Sequence, residues 1–331
     1  MMKTKTINEN KTGHSGLNAM WGNIKNNLGI LAALFILCII LTLATDKFLT
    51  GTNIITVLRQ VSINAIAAFG MTFVIILCGI DLSVGSVMSL SGVFTCVAMS
   101  KMGLPWPAAI LCGIVIGLIV GFINGILITR LTIPPFIATL AMSYIARGSS
   151  YLITNAMPVS VKDDTFYSIG NGYLWFIPLP VIYMFVILVI ASFLLYKTRY
   201  GRRVYATGGN IKAAQFSGIN TNKIQLVAYT VLGALSAIGG ITMSAKLYSG
   251  QPTIGQNAEL DAIAAVILGG TSFSGGIGTL GGTLIGALVM GVINNGLNLL
   301  GVNSFWQSIA KGVIIIVAVY VDIMKKRGRK F

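Results

Sequence analysis

The chain has 331 residues, of which 55% are hydrophobic and only 9% are charged, and its mean hydropathy is +0.85. Soluble domains have about a quarter of their residues charged, so this composition excludes a soluble globular protein. The apolar runs are continuous, which excludes a β-barrel and predicts an all-α polytopic membrane protein. The net charge of +15 is concentrated near both termini and in segment 197–223, which is typical of the positive-inside rule and not of nucleic-acid binding.

The apolar runs predict about ten transmembrane helices within residues 28–324, between a polar cytoplasmic tail at 1–27 and a basic cytoplasmic tail at 325–331. With the N-terminus in the cytoplasm, ten crossings place Arg130, segment 197–223 and the basic C-terminus on the same side, as the positive-inside rule requires. The predicted spans are 28–45, 61–80, 87–100, 105–129, 134–154, 178–196, 224–246, 258–273, 279–300 and 305–323.

Two glycine-marked breaks interrupt this apolar sequence, GIDLSVGS at 79–86 and GGTSFSGGIGTLGG at 269–282. A break in hydrocarbon leaves backbone polar groups unsatisfied unless protein or a water-filled cavity covers them. A shift of 197 residues aligns residues 64–85 with 261–282, so both stretches are an apolar helix that runs into a break. Interrupted helices of this kind are typical of a duplicated transporter core. Chance similarity between low-complexity segments is the alternative.

Three carboxylates lie close to these breaks, Asp81 within the first and Glu259 and Asp261 at the start of the span before the second. A carboxylate in a membrane is costly unless it lies at the surface, in a cavity or in a pair, so each is a pathway residue or a helix cap. Amides within spans either join helices or contact a substrate. The candidate pathway residues are Asn64, Asp81, Glu259, Asp261, Asn294 and Asn295.

Four glycines recur at every fourth residue of the fourth predicted span: Gly113, Gly117, Gly121 and Gly125. At this spacing they share one face of a helix, where a second helix can approach closely. The pattern predicts tight helix packing and no substrate contact.

The sequence offers no candidate catalytic residue and no metal site. Its four cysteines lie in apolar runs without C-x-x-C spacing, and its single histidine, His14, lies in the polar tail. GIGTLG at 276–281 matches G-x-G-x-x-G without a surrounding βαβ unit, and no G-x-x-x-x-G-K-[ST] motif occurs. We therefore do not expect an intramembrane enzyme, and any ATP-driven work requires a separate ATPase.

Segment 197–223 carries six basic residues and no acidic one. Asn210 as N-cap and Gly218 as terminator predict a short surface helix between them. Phe216 gives this helix an apolar side chain that a merely solvated loop would not need, which favours a docking surface for a partner. The candidate coupling residues are Asn210, Lys212, Ala213, Ala214, Phe216 and Gly218.

Four segments carry a family resemblance: GIDLSVGS at 79–86, KAAQFSGIN at 212–220, ELDAIAAVILGGTSFSGG at 259–276 and NNGLNLLGV at 294–302. In sequence and in order, they resemble the permease subunits of bacterial ABC importers for monosaccharides, of the ribose, xylose, arabinose or galactose type. The resemblance extends from about Phe48 to Asp322.

The resemblance implies two permease copies in the bacterial inner membrane, with both termini cytoplasmic, a cytoplasmic ATPase that binds ATP and Mg, and a periplasmic or lipid-anchored sugar-binding protein. It implies import of ribose, or of xylose, arabinose, galactose or a sugar-derived signal, without a cofactor in this chain. It also implies that Ala213, Ala214 and Gly218 belong to a coupling helix, although the family's usual glutamate is Lys212 here. The rival hypothesis is an ion-coupled secondary transporter, for which Asp81 is the candidate carboxylate.

Overall fold

The computed structural model describes the backbone of residues 15–327 and the side chains of residues 28–320 and 322–324. The predictions for His14 and for the two ends of the chain fall outside these residues. The described chain forms thirteen helices: α1 (Ser15–Ala44), α2 (Gly51–Ile76), α3 (Val84–Ser100), α4 (Trp106–Thr129), α5 (Pro135–Thr154), α6 (Asp164–Asn171), α7 (Leu179–Lys197), α8 (Arg199–Gly209), α9 (Ile211–Phe216), α10 (Thr221–Lys246), α11 (Ala258–Leu268), α12 (Leu280–Leu299) and α13 (Ser304–Arg327). Two antiparallel pairs of two-residue strands accompany them: β1 (Val159–Ser160) with β4 (Ser249–Gly250), and β2 (Tyr173–Leu174) with β3 (Ile177–Pro178).

Six of these helices are long and apolar enough to cross a membrane, namely α2, α4, α7, α10, α12 and α13 up to Met324. Shorter apolar stretches occupy Leu28–Ala44 of α1 and all of α3. By contrast, α11 has 11 residues and is about 16 Å long, half of the roughly 30 Å hydrocarbon core. Each predicted span contains one helix, but helix length does not establish a crossing for every one, so the count of ten stays a prediction.

Two predicted boundaries are wrong. Helix α2 begins at Gly51, so most of residues 46–60, between the first two predicted spans, is helical, and the Asn53 amide there is satisfied inside the protein by the Phe48 carbonyl. Helix α1 begins before residue 28, although its apolar stretch Leu28–Ala44 matches the first predicted span. The predicted span 258–273 stops as a helix at Leu268, where Gly270 adopts a positive φ of 84°.

The two ends of the helix bundle differ in charge. Helices α4 and α10 run antiparallel, because Gly113 lies beside Ile241 and Gly125 beside Leu226. Arg130, which follows α4, therefore lies at the same end as α8 and α9, and we call this the basic end. Helix α10 finishes at the opposite end, which we call the far end and which carries α6 and the four short strands.

Three of the four glycines of α4 face α10, namely Gly117, Gly121 and Gly125, while Gly113 lies against both α3 and α10. A β-carbon on Gly121 would stand 3.0 Å from the α-carbon of Thr230 and 3.1 Å from that of Gly233. Because these neighbours are backbone atoms, a larger residue would force the helices apart. Close packing without side chains lets van der Waals contact join helices in a membrane, where the hydrophobic effect gives no advantage to helix association.

The two glycine-marked breaks lie against each other near the basic end. The non-helical stretches are 77–83 and 269–279, so both predicted breaks end too late: residues 84–86 already belong to α3 and residues 280–282 to α12. The backbone N–H of Gly276 donates to the Ile76 carbonyl at 2.9 Å. The second break therefore satisfies a carbonyl at the end of α2, where the first break begins, which is how non-helical chain is tolerated at membrane depth.

Candidate functional site

A cavity of about 480 Å³ lies in the half of the bundle nearer the far end. Parts of α2, α10, α12 and α13 surround it, together with the turn at 251–257 that leads into α11. Seven amide side chains line it: Gln60, Asn64, Gln251, Gln256, Asn294, Asn298 and Gln307. The lining also includes three charged side chains, Lys246, Asp261 and Lys311. Amides both donate and accept hydrogen bonds, so the cavity suits a small molecule rich in hydrogen-bonding groups such as hydroxyls.

Toward the basic end, the cavity is closed by direct helix contacts. Ile63 and Met88 lie at its floor and are themselves buried. Beyond the floor, the hydroxyl groups of Thr72 on α2 and Thr283 on α12 are hydrogen-bonded at 2.8 Å. The site is therefore separated from the basic end by packed protein.

An ion pair stands at the floor of the cavity. The Lys311 ammonium lies 2.9 Å from Oδ1 and 3.0 Å from Oδ2 of Asp261, and the Asn294 amide donates to Oδ2 at 3.5 Å. Pairing explains how Asp261 is held within the bundle without the full cost of an isolated charge. Sequence reasoning missed Lys311, although a lysine within an apolar span is itself a signal.

Arg147 on α5 is a second cation that sequence reasoning missed. It donates to the carbonyl oxygens of Pro252 at 2.6 Å and Ile254 at 2.7 Å. These hydrogen bonds fix the turn that lines the cavity and leads into α11. An arginine in a predicted span was again the available signal.

The predicted pathway residues divide between the cavity and other places. Asn64, Asp261 and Asn294 line the cavity together. Asn295 points elsewhere, because its amide exchanges two hydrogen bonds with Asn53, at 2.7 and 3.0 Å. This pair of hydrogen bonds joins α2 to α12, so the role of Asn295 in the structure is to connect two helices.

Asp81 and Glu259 do not line the cavity. Asp81 is only 2% exposed, and its Oδ1 accepts from the backbone N–H and the hydroxyl of Ser83 at 2.7 and 2.6 Å. This geometry forms a turn before α3 but does not cap the helix, since Ser83 is the N-cap residue and no side chain caps α3. It leaves the carboxylate away from the cavity. Glu259 contacts Gly85 at the start of α3 and interacts electrostatically with Arg147.

At the basic end, α9 is a short exposed helix with both predicted end signals. The Asn210 side chain accepts from the backbone N–H of Ala213 at 3.0 Å, and Gly218 follows the helix with a positive φ of 77°. Of its side chains, Ala214 is buried, whereas Phe216 is 93% exposed. This exposure leaves the Phe216 side chain available for contact with a partner.

Helix α8 connects α9 to both breaks. The Tyr205 hydroxyl donates to the Gly278 carbonyl at 2.7 Å, and burial raises the pKa of Tyr205, which keeps that proton in place. Gly208 approaches the Ile76 carbonyl so closely that no β-carbon fits between them. Sequence reasoning missed both residues, because neither their type nor their spacing indicates a contact with a distant segment.

These features together define a class of protein. Apolar helices enclose a polar cavity near one end, two interrupted helices meet beneath it, and an exposed short helix is joined to those interruptions at the other end. Interrupted helices around a central site are the arrangement of membrane transport proteins. The chain is a multi-pass membrane permease.

Comparison with known proteins gives the family. Residues 53–319 match the family model described as branched-chain amino acid transport system / permease component. The ribose import permease protein RbsC of Bacillus subtilis is 46% identical over 304 residues, covering 91% of this chain and 94% of that protein. The Escherichia coli K12 protein of the same name is 44% identical, covering 89% and 93%. The xylose transport system permease protein XylH of Haemophilus influenzae is 38% identical, covering 90% and 96%.

A solved structure shares the fold. It is described as an inward-facing conformation of a metal-chelate type ABC transporter, and one of its chains matches with a TM-score of 0.53, covering 91% of this chain and 99% of its own length at 17% identity. The family match and the relatives together show that the chain belongs to this family of permease components of ABC import systems, and it is a transport subunit.

Proposed function

We propose that this chain is the transmembrane subunit of an ATP-driven importer for ribose. The observation that carries the proposal is the identity of 44–46% to ribose import permeases over about nine-tenths of both chains. The cavity supports it, because its seven amides can donate to and accept from the hydroxyl groups of a sugar. The runner-up substrate is xylose, from the 38% identical relative, followed by arabinose, galactose or a sugar-derived signal.

We further propose that the basic end faces the cytoplasm of a bacterium, in the inner membrane, as positive-inside topology favours. The cavity then faces the side from which a sugar-binding protein delivers its ligand. Both termini lie in the cytoplasm in this arrangement, and two copies of the chain form the pathway with their ATPase. ATP and Mg belong to that ATPase, and the permease needs no cofactor.

In this mechanism, α9 is the contact with the ATPase. Its exposed Phe216 is the anchor, since a desolvated aromatic residue is a typical energetic centre of an interface. Movement of α9 reaches the pathway through α8, because Tyr205 and Gly208 touch the two breaks. Separation of the breaks would open the closed side, while the amides of the cavity release a weakly held sugar.

Ribose uptake into proteoliposomes tests the proposal. The chain is reconstituted alone, and then with its cognate ATPase and binding protein, with ATP inside or outside the vesicles. We expect uptake only with both partners and with ATP on the ATPase side, and stronger competition by unlabelled ribose than by xylose. Uptake by the chain alone would refute the importer and return attention to ion coupling, while equal competition by xylose would refute the assignment to ribose.

A further inference from the structure

Helix α13 is fastened to the α11 segment at two polar points. At the cavity floor, Lys311 pairs with Asp261. Nearer the basic end, the Asp322 carboxylate accepts from the Ser272 hydroxyl at 3.1 Å and from the backbone N–H of Phe273 at 3.2 Å. The second point lies within the break 269–279, so the two attachments hold both ends of the half-length helix α11.

The two attachments are in register. In each contact the two partners are 50 residues apart in the chain. The spacing between the contacts is therefore the same on both segments: 11 residues from Asp261 to Ser272, and 11 residues from Lys311 to Asp322. On α13, 11 residues are about three turns, so Lys311 and Asp322 share one face some 16 Å apart. The segment 261–272 and α13 therefore run side by side in the same direction.

Other described contacts of α13 with the bundle include the Gln307 amide, which donates to the Asn298 side chain of α12 at 2.8 Å, and half-buried apolar residues such as Ile314 and Ile315. Helix α13 is the least buried of the six membrane-length helices, and α11 is the helix that it packs against most. The hydrophobic effect contributes little to helix association in lipid, whereas a carboxylate that loses its partner there is left uncompensated. The position of α13 against α11 therefore depends strongly on these polar contacts, while α11 itself also packs against α2 and α12.

We propose that Lys311 and Asp322 are positioning residues, which hold α11 and the break 269–279 against α13 as one unit. The cavity floor and the closed side then shift together with the C-terminal helix when the permease changes conformation. This inference rests on the proposed transport function for its consequence, but its structural content is independent of the substrate. Neither residue is required to touch the sugar.

Hydrogen–deuterium exchange of the full chain in nanodiscs tests the unit directly. Lys311→Met and Asp322→Asn should each raise amide exchange across residues 258–279 at least about tenfold, because each removes charge-assisted contacts to that segment. Tyr320→Phe is the matched control, since it removes an exposed hydroxyl from the same helix and should leave exchange unchanged. The exchanged pair Asp261→Lys with Lys311→Asp should return exchange to within about threefold of the original chain.

Uptake by the complete transport complex gives the second readout. Lys311→Met should lose at least about tenfold in uptake rate, and the exchanged pair should recover part of that loss. Unchanged exchange across 258–279 in both single variants would overturn the proposal, as would an equal rise in Tyr320→Phe. If the unmodified complex takes up no ribose, the proposed function fails, while the exchange measurement still decides whether α11 and α13 form a unit.

Discussion

Gly208→Ala is the sharpest test of the connection between α9 and the pathway. A β-carbon at this position would overlap the Ile76 carbonyl oxygen and stand 2.9 Å from the Gly276 backbone nitrogen, so it would press on the end of α2 and on the second break at once. These atoms are backbone and cannot rotate away, so α8 must move. Overpacking of this kind costs about 1–3 kcal/mol, which corresponds to roughly a 5- to 150-fold shift in a conformational equilibrium.

Gly209→Ala provides the matched control, because a β-carbon there meets nothing within 4 Å. It should preserve or slightly increase stability, since alanine is a better helix former than glycine by about 1 kcal/mol. We expect Gly208→Ala to lower the melting temperature of the permease and to reduce sugar-stimulated ATP hydrolysis in the reconstituted complex at least about fivefold. Gly209→Ala should leave both the melting temperature and the hydrolysis rate close to those of the original chain. Equal behaviour of the two variants would refute the contact between α8 and the breaks as the route of coupling.

Three further predictions address other parts of the chain. Phe216→Glu should weaken ATPase binding at least about tenfold without changing the melting temperature, because its side chain is 93% exposed; unaltered binding in a pull-down titration would remove α9 from the interface. Asp81→Asn should lower the free energy of unfolding by about 1–3 kcal/mol, because it weakens the hydrogen bonds to Ser83. Sugar uptake by the original complex should not depend on external pH. If uptake does depend on pH and Asp81→Asn abolishes that dependence, the ion-coupling hypothesis is restored. Asn294→Leu should reduce sugar uptake with little effect on the melting temperature, whereas Asn295→Leu should lower the melting temperature more than it reduces uptake. If instead Asn294→Leu mainly lowers the melting temperature and Asn295→Leu mainly reduces uptake, the placement of the cavity is contradicted.

Local chemistry made several features predictable from the order of the residues. Asn210 begins α9 because its side chain accepts a hydrogen bond from the first turn, and Gly218 ends it because glycine tolerates a positive φ. Both effects act within one turn of the residue itself. The glycines of α4 share a face because helical geometry fixes that face from spacing alone. Residue type was also enough to mark Asp81 and Asp261 as costly, since a carboxylate in an apolar run is costly wherever the chain folds.

What those costly groups do depends on their distant neighbours. Asp81 and Asp261 look alike in sequence, yet one forms a turn with Ser83 and the other pairs with Lys311 across 50 residues. Adjacent Asn294 and Asn295 separate in the same way, because neighbouring residues on a helix point about 100° apart and meet different partners.

Hydropathy and backbone propensity are properties of short stretches, so the residue order was sufficient to predict a membrane protein with helices broken at two glycine-marked segments. The three-dimensional fold was needed to show that the breaks meet, that Gly208 touches them and that amides from distant helices enclose one cavity. These are contacts between residues far apart in the chain, and a single sequence carries no local signal for which distant residue will be the partner.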